Sequence, residues 1–460
     1  MSCVRYLKSG LSTLSMLAAI SLPLLVGACQ SGNAQGGLPG LLEKIAPGAP
    51  QRVAPQPSTQ PGRQANIPQP APQMPRPAAP SLAIETQPLP GPMLVRPGGA
   101  DMVRVAFLAP LSGPQAGLGR ALLDAAQLAL FDLADDRIAL LPRDTEGQPE
   151  KAAAAAQQAL AEGAQIIIGP LFANEAAAVG PLARERGVKV LSFSTDRSVA
   201  GNGIFLLGFT PDQQVERVIS FARGKGITRY ALLAPDSAYG NAVAQAAGLA
   251  AQQAGGQLLR QDRYPGDTTD LTPVVRRFAA ALRALPPRGL EEPPVDGVDP
   301  NLPRPVDALL LPEGGAKLRA LAPLLPYFDI DPRAVRFLGT GLWEDASLGS
   351  EPALLGGWYA APAPDGFADF SRRFEQSFGR RPVRLASLAY DATALVGILA
   401  RRGDFSDEAL TNPDGFAGYD GIFRFLPNGL VQRGLAVLEV QRRGSRVIDP
   451  APASFQQPTN

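Results

Sequence analysis

The sequence predicts an α/β protein made of two doubly wound halves and preceded by a disordered, Pro-rich linker. Three observations predict it. Short, almost continuously apolar runs, such as residues 103–109 (VRVAFLA) and 164–169 (AQIIIG), alternate with alanine- and leucine-rich segments of helical spacing. That is the pattern of parallel strands covered by helices on both faces. The alternation runs to about residue 212 and then begins again. The first hundred residues show none of it, and 16 prolines fall within the 71 residues 30–100.

The elements follow in order. Residues 103–110 form the first strand, stopped by Pro110, and Ser112-Gly113-Pro114 makes a turn. Leu122, Ala125, Ala126 and Ala129 then share one face of a helix that runs to about 134. Strands are expected at 138–142, 164–169, 188–192 and 204–209, with helices at 149–163 and 174–185 between them. The second series has strands at 230–234, 257–264, 306–311 and 335–339. Its helices are expected at 213–225, 241–254, 271–284 and 316–327. Residues 286–305, rich in proline and acid, read as an exposed insertion. Beyond them come a strand at 357–361 and helices at 367–378 and 384–401. Asn428-Gly429 between the apolar runs 421–427 and 435–441 is a hairpin signal. Phe370, Phe374 and Phe378 fall on one helix face as core. Trp343 fits either a cleft lining or a hinge contact.

Composition narrows the chemistry. The chain carries 43 basic and 42 acidic residues and no histidine. Charge balance gives no basis for nucleic-acid binding. Without histidine there is no Ser-His-Asp or Cys-His system, and the commonest metal ligand is missing. The two cysteines, Cys3 and Cys29, lie within the first thirty residues, so no disulfide framework is expected. Ser112, Gly113, Gly117 and Gly119 lack the Gly-Lys-Ser/Thr of a phosphate loop. Asp144, Glu146, Asp196 and Asp236 at strand ends read as helix caps or cleft lining more than as catalytic carboxylates. The expectation is a non-enzymatic protein with no cofactor and no metal.

The N-terminus reads as an address. Arg5 and Lys8 precede a short apolar stretch that ends in Val26-Gly27-Ala28-Cys29. A basic start, an apolar run and small residues before a break make a secretory signal, and the cysteine placed there resembles a bacterial lipobox. The alternative, a membrane anchor that happens to contain a cysteine, needs a longer apolar run. Residues 1–28 are therefore read as a lipoprotein signal peptide, Cys29 as the lipidated residue, and 29–100 as a linker. The linker's reach in polyproline-II form is about 200 Å. The expected location is the periplasm, anchored by lipid to a membrane, with the outer membrane slightly preferred.

The runs LAPLSGPQAGLGR, IIIGPL, VLSFSTD, LLAPDSAYGNAVAQ and SLAYDATALV resemble the type I periplasmic-binding-protein fold, the branched-chain amino-acid receptor group. The resemblance implies two Rossmann-like lobes joined by three crossovers and closing on a ligand. It places the domain at 103–450, with lobe one at about 103–212 and 341–420, and lobe two at about 213–340 and 421–450. GPLFANEAAAVGPL, APDSAYG and RYPGDTTDLTPVVRRF look narrower still, like the LppC/LpoA lipoproteins. That likeness implies activation of a penicillin-binding protein, a peptidoglycan synthase. The alternative is a substrate-binding protein handing an amino acid of the leucine type, or another small polar ligand, to an ABC permease.

Ligands in such sheets sit at the carboxyl ends of strands. Those ends nominate Ser112, Phe172, Ala173, Ser194, Thr195, Asp196, Tyr239 and Glu313 as the cleft lining. By the resemblance, Ala173 stands where a serine hydroxyl is usual, either Thr195 or Asp196 takes a threonine place, and Tyr239 keeps an aromatic lid position. If that place is Asp196, a ligand carboxylate is repelled.

Overall fold

The computed structural model describes residues 102–288, 295–302 and 304–456. The expected signal segment, the lipidation of Cys29 and the linker lie outside the described residues.

The first half builds a five-stranded parallel sheet. In chain order it runs β1 (Val103–Ala109), α1 (Ala116–Leu133), β2 (Ile138–Asp144), α2 (Pro149–Ala161), β3 (Ile166–Ile168), α3 (Ala173–Glu185), β4 (Lys189–Ser192) and β5 (Ile204–Leu206). The strand order is β2-β1-β3-β4-β5. The apolar runs are continuous because both sheet faces are covered. Val105, Phe107 and Ala109 point into a core shared with α1, while Ala106 and Leu108 point into the opposite core with α2 and α3. Burying each large side chain of this kind contributes about 1.5–3 kcal/mol.

The second half repeats the scheme. It runs α4 (Pro211–Gly224), β6 (Arg229–Asp236), α5 (Ala238–Gln253), β7 (Gln257–Pro265), α6 (Thr272–Arg283), β8 (Ala308–Leu310), α7 (Gly315–Leu321), α8 (Leu324–Tyr327), β9 (Arg336–Gly339) and β10 (Trp358–Ala361). The alternation along β6 is as clean as in β1: Ala231 and Leu233 enter one core, and Tyr230, Leu232 and Ala234 enter the other. The chain then adds α9 (Pro364–Phe378), α10 (Ala386–Arg402), α11 (Asp407–Leu410), β11 (Phe416–Gly418), β12 (Gly421–Phe425), β13 (Val431–Arg433), β14 (Ala436–Val440) and β15 (Ser445–Asp449). The large sheet has the order β15-β14-β10-β9-β8-β6-β7, and β11-β12-β13 form a small third sheet.

These pairings place the crossovers after β5, after β10 and after β13. The return expected at 341 therefore comes later, because β10 pairs in parallel with β9 inside the second sheet. The second return, expected at 421, also comes later. Phe423, Phe425 and Val431 pack into the first lobe's core with α1 and α10. The Asn428-Gly429 turn forms, but it joins β12 to β13. The run expected as its partner, β14, pairs instead with β10. Helix 316–327 is interrupted at Pro323, where a proline ring opposes continuation.

The insertion is not simply exposed. Val295 and Val298 are buried against the β6–β8 core. Asp307, at the start of β8 and with no exposure, accepts hydrogen bonds from the amides of Thr228 and Arg229 and pairs with Arg304 and Arg288.

Candidate ligand cleft

The carboxyl ends of the first sheet carry loops in which the chain's own side chains hold seven of the amides. After β1, Asp144 Oδ1 accepts from the amides of Leu111 at 2.8 Å and Ser112 at 3.2 Å, and from Glu146 at 2.9 Å. Burial pushes the Asp144 carboxyl up, but these donors and Ser112's side chain outweigh it and hold the carboxyl below its usual range. After β3, Glu175 Oε2 accepts from the amide of Phe172 at 3.0 Å, so a carboxylate caps the start of α3. Glu175 is fully buried, and burial raises its pKa against the lowering effect of its hydrogen bonds, the Thr145 side chain and the Phe172 amide among them. After β4, Ser192 Oγ takes the Ser194 amide at 3.2 Å, Ser194 Oγ takes the Asp196 amide at 3.1 Å, and Asp196 Oδ1 takes the Ser198 amide at 2.9 Å. Each polar residue thus secures the next turn of its loop.

The second sheet's ends use hydroxyls. Ser237 Oγ accepts from the Gly240 amide at 3.1 Å and starts α5. The Tyr239 hydroxyl donates to Thr340 Oγ1 at 2.8 Å, which joins the first turn of α5 to the loop after β9. Burial pushes Tyr239 up to about 12, so it stays a neutral phenol. The Tyr264 hydroxyl donates to Glu313.

The eight nominated residues fall into two groups. Ser112, Thr195 and Asp196 are exposed on the first lobe, Phe172 and Ala173 are half-buried, and Ser194 is buried with its hydroxyl committed within the loop. Tyr239 and Glu313 are half-buried on the second lobe. Trp343 is neither cleft nor hinge. It is fully buried in the second lobe's core, with Nε1 donating to the Leu311 carbonyl at 3.2 Å. A hollow of about 450 Å³ lies at the amino-terminal end of β10, lined by Leu355, Gly356 and Val440 to Arg443, away from the loops that follow the parallel strands. Among the described residues no group of acidic, cysteine or histidine side chains could hold a metal ion.

All three crossovers meet on one buried ionic node. Arg384 stacks between Phe209 of the first crossover, at 4.9 Å, and Phe367 just past the second, at 4.5 Å. Its Nε donates to Glu344 at 2.7 Å and its Nη1 donates to Asp420 at 2.8 Å. Glu344 follows β9 in the second lobe, whereas Arg384 precedes α10 in the first, so this guanidinium ties the lobes together. Arg433, at the third crossover, lies over Phe209 at 4.8 Å and donates to the Leu207 carbonyl at 2.5 Å. Asp391 accepts from the amides of Tyr419 at 2.9 Å and Asp420 at 3.3 Å. Burial, reinforced by the Asp420 charge, pushes Asp391 up to about 7. Two glutamines add neutral ties. Gln214 accepts from the Gly341 amide at 2.6 Å, and Gln213 accepts from the Arg433 amide at 2.8 Å.

The node was not among the nominated residues. One signal was present: Asp391 sits inside SLAYDATALV, an otherwise apolar helix, where a lone charge demands a partner.

Two lobes with polar strand ends and three crossovers between them define a bilobed solute-binding fold. The chain belongs to the periplasmic binding protein family, whose pattern it matches over residues 102–445. It is 28% identical over 188 residues to the Leu/Ile/Val-binding protein homolog 6 of Brucella abortus, covering 39% of this chain and 48% of that one. It is 24% identical over 143 residues to an uncharacterized protein of Rickettsia prowazekii, covering 38% of that chain. The chain thus spans less than half the length of these curated relatives. Among solved structures, an ABC transporter substrate-binding protein from Sphaerobacter thermophilus superposes with a TM-score of 0.62 at 21% identity, covering 76% of this chain and 98% of that one. A branched-chain amino acid ABC transporter protein from Rhodospirillum rubrum gives a TM-score of 0.62 at 20% identity, covering 75% and 100%. These structures share the fold. The narrower likeness to the LppC/LpoA branch, and with it a penicillin-binding protein as partner, finds no support among these relatives.

Proposed function

We propose that this chain is the extracytoplasmic receptor of an ABC importer, holding a small polar solute between its lobes and presenting it to a permease. The supporting observation is the pairing of two sheets whose carboxyl ends both carry polar, partly exposed loops, with every connection between lobes gathered at one edge. A hinge at one edge and polar loops at the strand ends suit a fold that closes on a solute. The solute-lining residues in this reading are Ser112, Phe172, Ala173, Ser194, Thr195, Asp196, Tyr239 and Glu313. Lipid attachment at Cys29 would hold the receptor at a membrane. Among the described residues no helix is long and apolar enough to cross one.

The test is thermal denaturation of the full chain against a panel of amino acids, aromatic acids, amines and sugars. A true ligand at about 100 times its Kd adds about 2.7 kcal/mol, a rise of a few degrees in a protein of this size. No response across the whole panel would sink the receptor reading.

A further inference from the structure

The chain contains two Asn-Gly pairs, Asn202-Gly203 and Asn428-Gly429, and the fold brings them side by side. Asn202 and Gly203 form the tip of a tight turn between Gly201 and Ile204, which exchange both backbone hydrogen bonds at 2.9 and 3.0 Å. Both tip residues have positive φ, 51° and 90°, as a two-residue turn of this kind requires. Asn428 and Gly429 lie in the turn between β12 and β13. A Cβ on Gly429 would fall 2.2 Å from the Ile204 carbonyl oxygen and 2.3 Å from the Gly201 nitrogen, so the two turns pack backbone to backbone. The Gly429 carbonyl also accepts from the Leu206 amide of β5 at 2.8 Å. The hairpin contributed by the tail is thus seated on the edge strand of the first sheet through these two turns.

An asparagine followed by glycine carries its own reaction. The glycine's backbone nitrogen gives up its proton to water, attacks the asparagine Cγ and closes a cyclic imide. The bond from Cγ to Nδ2 breaks, and that nitrogen takes a proton from water and leaves as ammonia. A water molecule then opens the imide at either carbonyl. The product is aspartate or, with the side-chain carbons drawn into the main chain, isoaspartate. The reaction needs a free glycine amide and an asparagine side chain able to swing onto it, and glycine obstructs that approach least because it has no Cβ.

Both asparagines are exposed, so exposure does not separate them; hydrogen bonding does. The Gly429 amide donates to the Leu426 carbonyl at 2.8 Å, and Asn428 Oδ1 accepts from the Leu430 amide at 3.1 Å. Among the described residues, neither the Gly203 amide nor the Asn202 side chain has a hydrogen-bond partner. A group held by hydrogen bonds reacts from its opened form, whose population the folded structure keeps small. We propose that Asn202 is a site of spontaneous deamidation in the folded protein, and that Asn428, with the same dipeptide, is protected by its turn. Isoaspartate at 202 lengthens the main chain of a turn that has no slack against Gly429, so it unseats the tail hairpin from β5.

The experiment is peptide mapping by mass spectrometry on the full chain, aged at pH 8 with and without urea, reading amide-to-acid conversion and isoaspartate at each position. In the folded chain Asn202 is expected to convert about tenfold faster than Asn428, or more. In urea the two rates should converge. The isoaspartate-bearing fraction should melt a few degrees below the fresh parent. Asn202→Gly accepts the positive φ, so it should melt with the parent and keep that melting temperature on ageing. Asn428 converting as fast as Asn202 in the folded chain, or Asn202 remaining an amide there, would overturn the proposal. A difference in rate that persists in urea would trace it to neighbouring sequence and overturn the protective role of the turn. An isoaspartate fraction that melts with the parent would overturn the link to the tail hairpin.

Discussion

The two lobes repeat one strand–loop–helix unit and secure it with different chemistry. In the first, β1 passes to α1, and a Cβ on Gly119 would fall 2.0 Å from the Pro110 carbonyl oxygen. In the second, β6 passes to α5, and a Cβ on Gly240 would fall 2.0 Å from the Pro235 oxygen. The backbone constraint is the same: the helix lies so close to the last carbonyl of its strand that only glycine fits. The loops differ. The first is pinned by a carboxylate from another strand, Asp144, whereas the second is pinned by its own Ser237 hydroxyl. Close packing is therefore a shared requirement of the unit, and the charge of each wall is set separately by whichever side chain satisfies the amides.

The largest effect should come from cutting the tie that the lobes share. Arg384→Met leaves Glu344 and Asp420 without their cation in a buried setting, and urea denaturation should show a loss of about 3–5 kcal/mol. Gly119→Ala and Gly240→Ala test the common constraint. Each should cost about 1–3 kcal/mol by overpacking, and a tolerated substitution in one lobe alone would end the equivalence.

The smallest effect sharpens the difference between the walls. Asp144 has a folded pKa below its unfolded value of 3.8, so its stabilisation is present above that value and is lost as pH falls through the folded one. Asp144→Asn should cost about 1 kcal/mol at neutral pH, and the difference from the parent should close on acidification. Ser237→Ala should cost about 1 kcal/mol with no such pH dependence. Denaturation curves at pH 7 and pH 3 distinguish the two.

Much of this was legible in the sequence where a run of residues carries its own signal. The alternation of β1 and α1, the glycine-bounded ends of β3 and the Asn-Gly turn all rest on local pattern. The two lobes follow from that pattern repeating. Sheet membership is not local, however. Trp358–Ala361 is an apolar run like the others, and nothing within it states that it pairs with β9 and β14 and not with the first sheet. The insertion departs from expectation for a related reason. Its proline and acid content suggests solvent, but two valines and the buried Asp307 draw it inward. The site was half legible. Strand ends pointed to the loop residues. The node stayed hidden because Glu344, Arg384, Asp420 and Arg433 come from four separate stretches, and no spacing rule joins them.

The late position of the closing elements governs how this chain acquires its structure. α10 completes the core over α1, although some 250 residues separate them. β10 takes an interior place in the large sheet, and β14 joins it only near the end of the chain. Chain emerging from a ribosome or a translocation channel therefore holds two half-built cores with apolar helix faces uncovered. Contacts of such sequence separation form slowly, and partly covered cores are prone to aggregate while they wait. Both lobes therefore lack part of their core until the tail arrives.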